Sequence, residues 1–410
     1  MKINNTDTPV VILTSKIGAV TIMRSLGIYG VDIYSTDADS MSPALTSKYC
    51  KKKYIKKYNE SEPEAYLEFV LNIGKEIGKK ALLIQTSDNM AVFIAEYAEK
   101  LKDYFIFPPN SAELIKRIIS KEGMYAIALE NDIPTPVTVF PKNLDDVLDY
   151  CKNEGKFPLM LKGIYGDKLQ ARTGKKMVIV NNEEELLENY KWLEDPNEPN
   201  LMLQEYIPGG DDQVYIFNGY FDAKSECLAA FTGYKVRQYP IHVGAASLGE
   251  NKWNQDVADL TIKFMKDIGY TGILDIGYRL DPRDGKYKVL DINPRVGQAF
   301  RIFVAENGMD VIRSQYMDLT NQRSDEPVIP DEGRRWIIED YDVISSIHYF
   351  LEGTMSIGEW FKSFKRCKEG AWFSWRDPVP FLVILLSFGK KIIYWILKKL
   401  GMRKLPNAKK

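Results

Sequence analysis

The stretch Gly272–Arg295, GILDIGYRLDPRDGKYKVLDINPR, decides how the chain is read. Its centre, Asp281-Pro282-Arg283-Asp284-Gly285, is a run of turn formers between two β-prone segments. The pattern predicts a hairpin with strands at about Ile273–Leu280 and Lys286–Ile292. Folded symmetrically about Arg283, it pairs Leu280 with Lys286 and sets Asp275 opposite Asp291. Like charges facing each other on a sheet are destabilising, so the pair calls for a compensating cation. Asn293 shares the face of Asp291 in an extended chain. Two carboxylates and an amide oxygen are hard ligands, suited to magnesium that also holds phosphate oxygens. Arg295 brings a fixed positive charge two residues further on. On spacing alone, an exposed hairpin with solvated acids is an equal reading.

Upstream of this hairpin the pattern is α/β. Val10–Thr14 is a β-branched apolar run, followed by a helix over Gly18–Tyr29 and a strand over Val31–Ser35. Strand–helix–strand is the start of an open parallel sheet. The basic run Lys48–Lys57 reads as a solvated strand and its flanks. A helix over Glu62–Lys79 leads into a strand over Ala81–Thr86. Asp88, just beyond that strand, lies where open α/β sheets bind ligands, and it reads equally as an N-cap for a helix over Met90–Leu101. A first domain over residues 1–109 ends at Phe107-Pro108-Pro109.

Two helices fill Ser111–Asn131, the second starting near Lys121. Ile133-Pro134-Thr135-Pro136 is extended by proline chemistry. A small α+β unit over 137–205 comes next, with helix Leu144–Asn153, strand Pro158–Lys162, a loop, strand Met177–Val180, helix Glu183–Leu193 and strand Leu201–Glu205. From Gln213 a mostly antiparallel sheet is expected, with strands Val214–Phe217 and Glu226–Tyr234, a loop, and helix Gln255–Ile268. Helix Phe300–Leu319 closes a second domain over 110–320.

Residues 321–410 form a third, helical region, with helix over Val343–Phe364. Phe381–Phe388 is apolar but too short to span a bilayer, and Lys390-Lys391 interrupt the apolar character beyond it. Lys390–Lys410 holds eight Lys and Arg and no acid. An amphipathic helix with a polybasic end suits an anionic membrane surface, placing an anchor at 378–410. Packing of that helix on protein, including a homodimer partner, is the competing reading.

Composition narrows the chemistry. A net charge of −1 gives no electrostatic case for nucleic acid. The four cysteines, Cys50, Cys151, Cys227 and Cys367, are widely spaced, which argues against a zinc site or disulfide framework and fits the cytoplasm. With His242 and His348 alone, histidine-based catalysis is not expected.

The hairpin after the α+β unit resembles the ATP-grasp superfamily. The motif is an acid on one strand, here Asp275, then Asp291-Ile292-Asn293-Pro294-Arg295 on the next. Among its branches the chain looks most like carboxylate–amine ligases of the D-aspartate-ligase and carbamoyl-phosphate-synthase-like kind, over about residues 110–320. The resemblance implies ATP, two Mg²⁺ ions with Mn²⁺ as a substitute, and small-molecule carboxylate and amine substrates. It makes Asp275, Asp291 and Asn293 metal ligands, with Asp291 bridging. Lys121 and Lys162 become phosphate ligands. Glu205, Tyr206 and Ile207 become the hinge that reads adenine, and Asp212 the ribose acceptor with Asp211 beside it. Arg295 would stabilise the phosphoryl group. Lys235 and Arg237 are candidates for holding an acidic substrate or the acyl phosphate, with His242 close by, and Arg301 faces the site if the chain after Arg295 turns back across it. The phosphate-covering loop, Gly163–Gly174, carries fewer glycines than the family pattern. The implied reaction forms an amide through an acyl phosphate, on a cell-wall or surface-polysaccharide precursor if the tail marks a membrane acceptor. A non-catalytic nucleotide-binding scaffold, or phosphoryl or carbamoyl transfer, are the alternatives.

Overall fold

Val10–Leu13 (β1) has a parallel strand on each side and is buried along its whole length, with Val11 and Leu13 packed among Leu67, Val70 and Phe93. Such a strand reads as a continuous apolar run rather than an alternating one. The computed structural model describes residues 3–323 and 328–399. The chain divides into two units. The first comprises Met1–Phe107, Lys235–Trp253 and Arg295–Lys410, and the second Pro108–Tyr234 and Asn254–Pro294.

In the first unit, α1 (Ile17–Gly27), β2 (Ile33–Asp37), β3 (Cys50–Ile55), α2 (Pro63–Ile77), β4 (Ala81–Gln85), α3 (Asp88–Glu96), α4 (Ala98–Leu101) and β5 (Phe105–Ile106) come after β1. They build a parallel sheet of order β3-β2-β1-β4-β5, the expected open α/β layout. The lysine run falls on the edge strand β3, where Lys51 meets Asp32 at 2.6 Å and Lys52 meets Glu76 at 2.5 Å. Charged edge strands discourage pairing with another chain. The N-cap of α3 is Ser87 rather than Asp88, which lies in the first turn.

The second unit opens with α5 (Ala112–Ile119) and α6 (Lys121–Glu130), each capped by a serine whose hydroxyl accepts a backbone N–H. Next come β6 (Thr138–Val139), α7 (Leu144–Asn153), β7 (Leu159–Gly163), α8 (Gly166–Thr173), β8 (Met177–Val180), α9 (Glu183–Leu193) and β9 (Leu201–Glu205). These strands form an antiparallel sheet of order β6-β9-β7-β8. Helix α8 occupies the segment expected to be a phosphate-covering loop, and Gly174 ends it with φ 78°. A helix there removes the open backbone nest that the family resemblance implied.

Strands β10 (Val214–Phe221) and β11 (Cys227–Tyr239) come next, with β11 in this unit as far as Tyr234. The chain then makes β12 (Ala245–Asn251) in the first unit, where a loop was expected, before α10 (Gln255–Asp267), β13 (Gly272–Asp281) and β14 (Lys286–Asn293) return to the second. Here the strand order is β14-β13-β10-β11.

The hairpin forms, but its register differs from the symmetric fold. Asp281 pairs with Lys286, and Tyr278 with Val289. The register then shifts, so that Gly277 faces Asp291 and Asp275 faces Asn293. Leu290 is the extra residue of a β-bulge, which sequence symmetry cannot reveal. The two acids are therefore diagonal neighbours, not direct opposites.

The rest of the first unit holds α11 (Val311–Leu319), β15 (Arg335–Ile337), α12 (Glu339–Leu351), α13 (Ile357–Ser363), β16 (Cys367–Gly370) and α14 (Val379–Lys399), with strand order β12-β15-β16. Two expected helices are interrupted. Phe300–Leu319 is only a short 3₁₀ turn over Ala299–Ile302 and then α11, because Ala305 bridges to Pro330 and Gly308 adopts φ 87°. Val343–Phe364 splits into α12 and α13, the second opened by a capping box between Ser356 and Glu359.

The chain near residue 377 is fastened by a buried cation. Arg24 on α1 donates to the Asp377 carboxylate at 3.2 Å and to the carbonyls of Gly370, Ala371, Trp372 and Asp377. Among the described residues no helix is long and apolar enough to cross a membrane. Helix α14 covers part of the expected anchor. Its side chains from Lys390 onward, and residues 400–410, lie outside the described residues.

Candidate active site

Lys121 is the first residue of α6, a poor place for a cation because the helix dipole is positive there. Its Nζ lies 2.5 Å from Asp291 Oδ1, which offsets that cost. One helical turn on, buried Tyr125 donates to the carbonyl of the bulge residue Leu290 at 3.4 Å. Tyr125 also accepts from Gln204 Nε2 at 2.7 Å, and Gln204 reaches Thr138 Oγ1 at 3.0 Å. One tyrosine thus aligns the helix, strand β9 and the hairpin. Burial raises its pKa above the ordinary phenol value.

The bulge places Asp275, Asp291 and Asn293 on one face of the hairpin. Asn293 Nδ2 donates to Asp291 Oδ2 at 3.2 Å. Asp275 Oδ1 accepts from Asn218 Nδ2 at 2.8 Å, across the β10–β13 pair. Asn218 is fully buried, and its Oδ1 has no hydrogen-bond partner. Gly277, opposite Asp291, leaves the space beside that carboxylate open: a Cβ there would meet nothing within 4 Å. Oxygen donors of this kind, with room beside them, fit a magnesium ion. Among the described residues no three His, Cys, Asp or Glu side chains form a metal cluster, so the donor set is two carboxylates and amides. Lys162 lies on β7, partly buried, paired with Met177 and Met202.

The segment expected to form the hinge is tied down by charges that its sequence alone does not assign. Glu205 meets Arg283 at 2.5 Å and Lys288 at 3.4 Å, and accepts the Val137 N–H at 3.1 Å. Both its oxygens therefore carry protein donors, unlike the expected adenine acceptor. Arg283 and Lys288 also hold buried Asp281, at 2.5 and 2.7 Å. Those partners, Arg283 first, keep the Asp281 carboxyl well below the usual carboxylate range. Arg279 donates to the carbonyls of Ile207 at 2.9 Å and Gly209 at 2.6 Å. Tyr206 donates its N–H to Pro158 at 3.3 Å. Asp212 is exposed in a 3₁₀ turn over Asp211–Gln213.

Five expected residues belong to the first unit. Arg295 Nε meets Asp88 at 2.7 Å, and the Val296 N–H reaches the Gln85 carbonyl at 3.2 Å. Arg237 is not a substrate-facing cation: it is 3% exposed and grips Asp342, 1% exposed, through two hydrogen bonds of 2.8 and 2.9 Å. Ser363 accepts its remaining arm at 2.8 Å. Lys235 donates to the Gly244 carbonyl at 2.9 Å. Of the two further candidates, His242 meets Glu352 at 3.0 Å, and Arg301 is held by Glu369 and Asp310.

Sequence reasoning missed Asn218, Arg279, Lys288 and Tyr125. Only Asn218 gave a signal, as the one amide in the apolar run VYIFNGYF. A polar side chain inside a buried strand needs a reason to be there.

No family model matches the chain. In sequence it is 27% identical over 319 residues to a D-aspartate ligase of Enterococcus faecium, covering 74% of each protein. It is also 24% identical over 258 residues to a carbamoyl phosphate synthase large chain of Caldanaerobacter subterraneus, covering 61% of this chain but 23% of the synthase. In structure it resembles the N5-carboxyaminoimidazole synthetase of Staphylococcus aureus complexed with ADP, at TM-score 0.61 and 13% identity over 82% of this chain and 81% of that one. An L-amino acid ligase of Bacillus licheniformis gives TM-score 0.60 and 14% identity, over 81% and 79%. The fold is thus that of an ATP-grasp protein preceded by an open α/β sheet. The sequence likeness to a D-aspartate ligase points the same way, toward carboxylate–amine ligases.

Proposed function

We propose that the protein joins the carboxylate of a small acid to an amine through an acyl phosphate, releasing ADP. The observation that carries the reading is the Asp275, Asp291 and Asn293 face with Lys121 on Asp291 and open space over Gly277. Magnesium held there would spread the charge of the transferring phosphoryl group. Asn293 donates its amide nitrogen to Asp291, and its amide oxygen is the donor it offers a metal. Lys121 and Lys162 neutralise phosphate oxygens as point charges. Glu205, through Arg283 and Lys288, and Arg279, through the Ile207 and Gly209 carbonyls, hold the adenine hinge still. Tyr206 and Ile207 offer backbone groups to the base, and Asp212 accepts from the ribose. The motif gives Arg295 the task of stabilising charge on the phosphoryl group. Segment 137–205 acts as the lid that keeps water from the acyl phosphate.

The likeness to a D-aspartate ligase makes D-aspartate the first acid to test. The basic end of the chain supports a location at an anionic membrane, where a lipid-linked precursor would supply the amine. The test is ADP release with MgATP, D-aspartate and an amine panel including muropeptide and amino-sugar acceptors. Acid-dependent ADP release trapped by hydroxylamine as a hydroxamate supports the acyl phosphate. ADP release without hydroxamate favours phosphoryl or carbamoyl transfer, and no turnover with any pair favours a scaffold.

A further inference from the structure

Beyond the basic tail, the first unit carries an apolar surface that its own described residues leave uncovered. On α12, Val343, Ile347 and Leu351 repeat every four residues, share one side of the helix and are all exposed, Leu351 to 80%. On α13, Ile357 and Phe361 repeat in the same way, both 65% exposed. An edge-to-face contact of Phe350 with Trp360 links the two helices. Trp375, 89% exposed, stands just before α14 and stacks edge-on against Phe373, which also meets Phe381 of α14. In water such stripes are a liability unless something covers them.

The charge beside them indicates what does. Lys362, Lys365, Arg366 and Lys368 are exposed cations within and after α13. Arg366 meets Asp331 at 3.1 Å, and the nearby acids Glu359 and Glu352 are engaged by Ser356 and His242. Apolar side chains with a tryptophan, rimmed by cations and followed by a polybasic segment, match a headgroup–acyl boundary of anionic lipid.

We propose that α12 and α13 form a second membrane-contacting surface, so that the body of the first unit, and not the tail alone, rests on anionic lipid. This rests on the membrane placement proposed for the basic tail. Burying one large apolar side chain at such a boundary strengthens binding by about tenfold or more. Two variants of the full chain separate the ideas. Ile347→Asp with Phe361→Asp alters the stripe, and Lys398→Glu with Lys399→Glu alters the tail. Each is sedimented with phosphatidylcholine vesicles with and without phosphatidylglycerol. The wild type is expected to bind only the anionic vesicles, and the stripe variant to lose at least tenfold in affinity while its melting temperature holds. Leu351→Ser with Ile357→Ser repeats the test without added charge. Stripe variants that bind like the wild type while the tail variant is released overturn the proposal and leave the tail placement standing. A tail variant that stays bound while stripe variants are released does the reverse. Wild type that ignores both vesicles sinks both. A stripe variant whose particle mass halves with vesicle binding unchanged makes the surface a contact between copies of this chain, and the proposal fails.

Discussion

Replacing Arg237 by alanine separates two roles for this cation. The sequence suggests a substrate-holding group near the metal hairpin, whereas the structure buries it against Asp342. Arg237→Ala leaves the Asp342 carboxylate in a site where its other neighbours are the hydroxyls of Ser247 and Ser346 at 3.3 and 3.4 Å and Trp360 Nε1 at 3.4 Å. Removing one partner of a buried pair costs about 3–5 kcal/mol, because the remaining charge stays desolvated. In a unit of a few hundred residues each kcal/mol moves the melting temperature by about 2–4 °C, so the shift is on the order of 10 °C. Differential scanning calorimetry of the full chain measures it. The double change Arg237→Met with Asp342→Leu removes both charges and is expected to recover most of the loss. An Arg237→Ala protein that melts like the wild type but shows a raised KM for the acid would refute the structural assignment.

Asp291→Asn removes the charge shared by Lys121 and the proposed metal, so ADP production is expected to fall on the order of 10³-fold with little change in melting temperature; a turnover within threefold of wild type removes Asp291 from the site. Gly277→Val fits the open space over Asp291 without a clash, so the fold is expected to persist while magnesium-dependent turnover drops on the order of 10²-fold. Arg283 and Lys288 hold the Asp281 pKa below its unfolded value, so this carboxylate adds stability that is complete above about pH 4 and is lost as pH falls toward its folded pKa. The stability gap between wild type and Asp281→Asn should therefore be full at pH 6 and close in strong acid; a gap independent of pH refutes the ion-pair account. Burial pushes Cys227 up to about 12, and Cys50 and Cys367 to about 11. Alkylation by iodoacetamide is expected to be slow at pH 7.5 and to accelerate only in strong alkali, and a fast stoichiometric reaction would contradict it.

Much of the site is local and was therefore legible. The spacing Asp291-x-Asn293-x-Arg295 is set by the two-residue period of a strand, and the run Asp281–Gly285 is turn chemistry. The helix pair before Ile133 and the buried strand β1 come from apolar periodicity and β-branched composition, which need no knowledge of the neighbours. The residues that share a face, the start of the parallel sheet and the motif able to hold a metal were thus determined by the sequence itself.

The tertiary structure decided partners. The turn closes with Asp281 rather than Leu280 opposite Lys286, and the bulge at Leu290 adds one more residue, so together they moved Asp275 from Asp291 to Asn293; register depends on pairing with a second strand and one extra residue is invisible to symmetry. Arg237 and Arg295 look alike as isolated cations in sequence, yet one is buried against Asp342 and the other meets Asp88. Glu205 proved to be an anchor for Arg283 and Lys288, residues about eighty positions away. Strand β12 was unreadable for the same reason: its ladder is completed by β15, far along the chain. Charge and polarity are properties of a residue, but what they do depends on desolvation and on the group opposite, and only the folded chain fixes those.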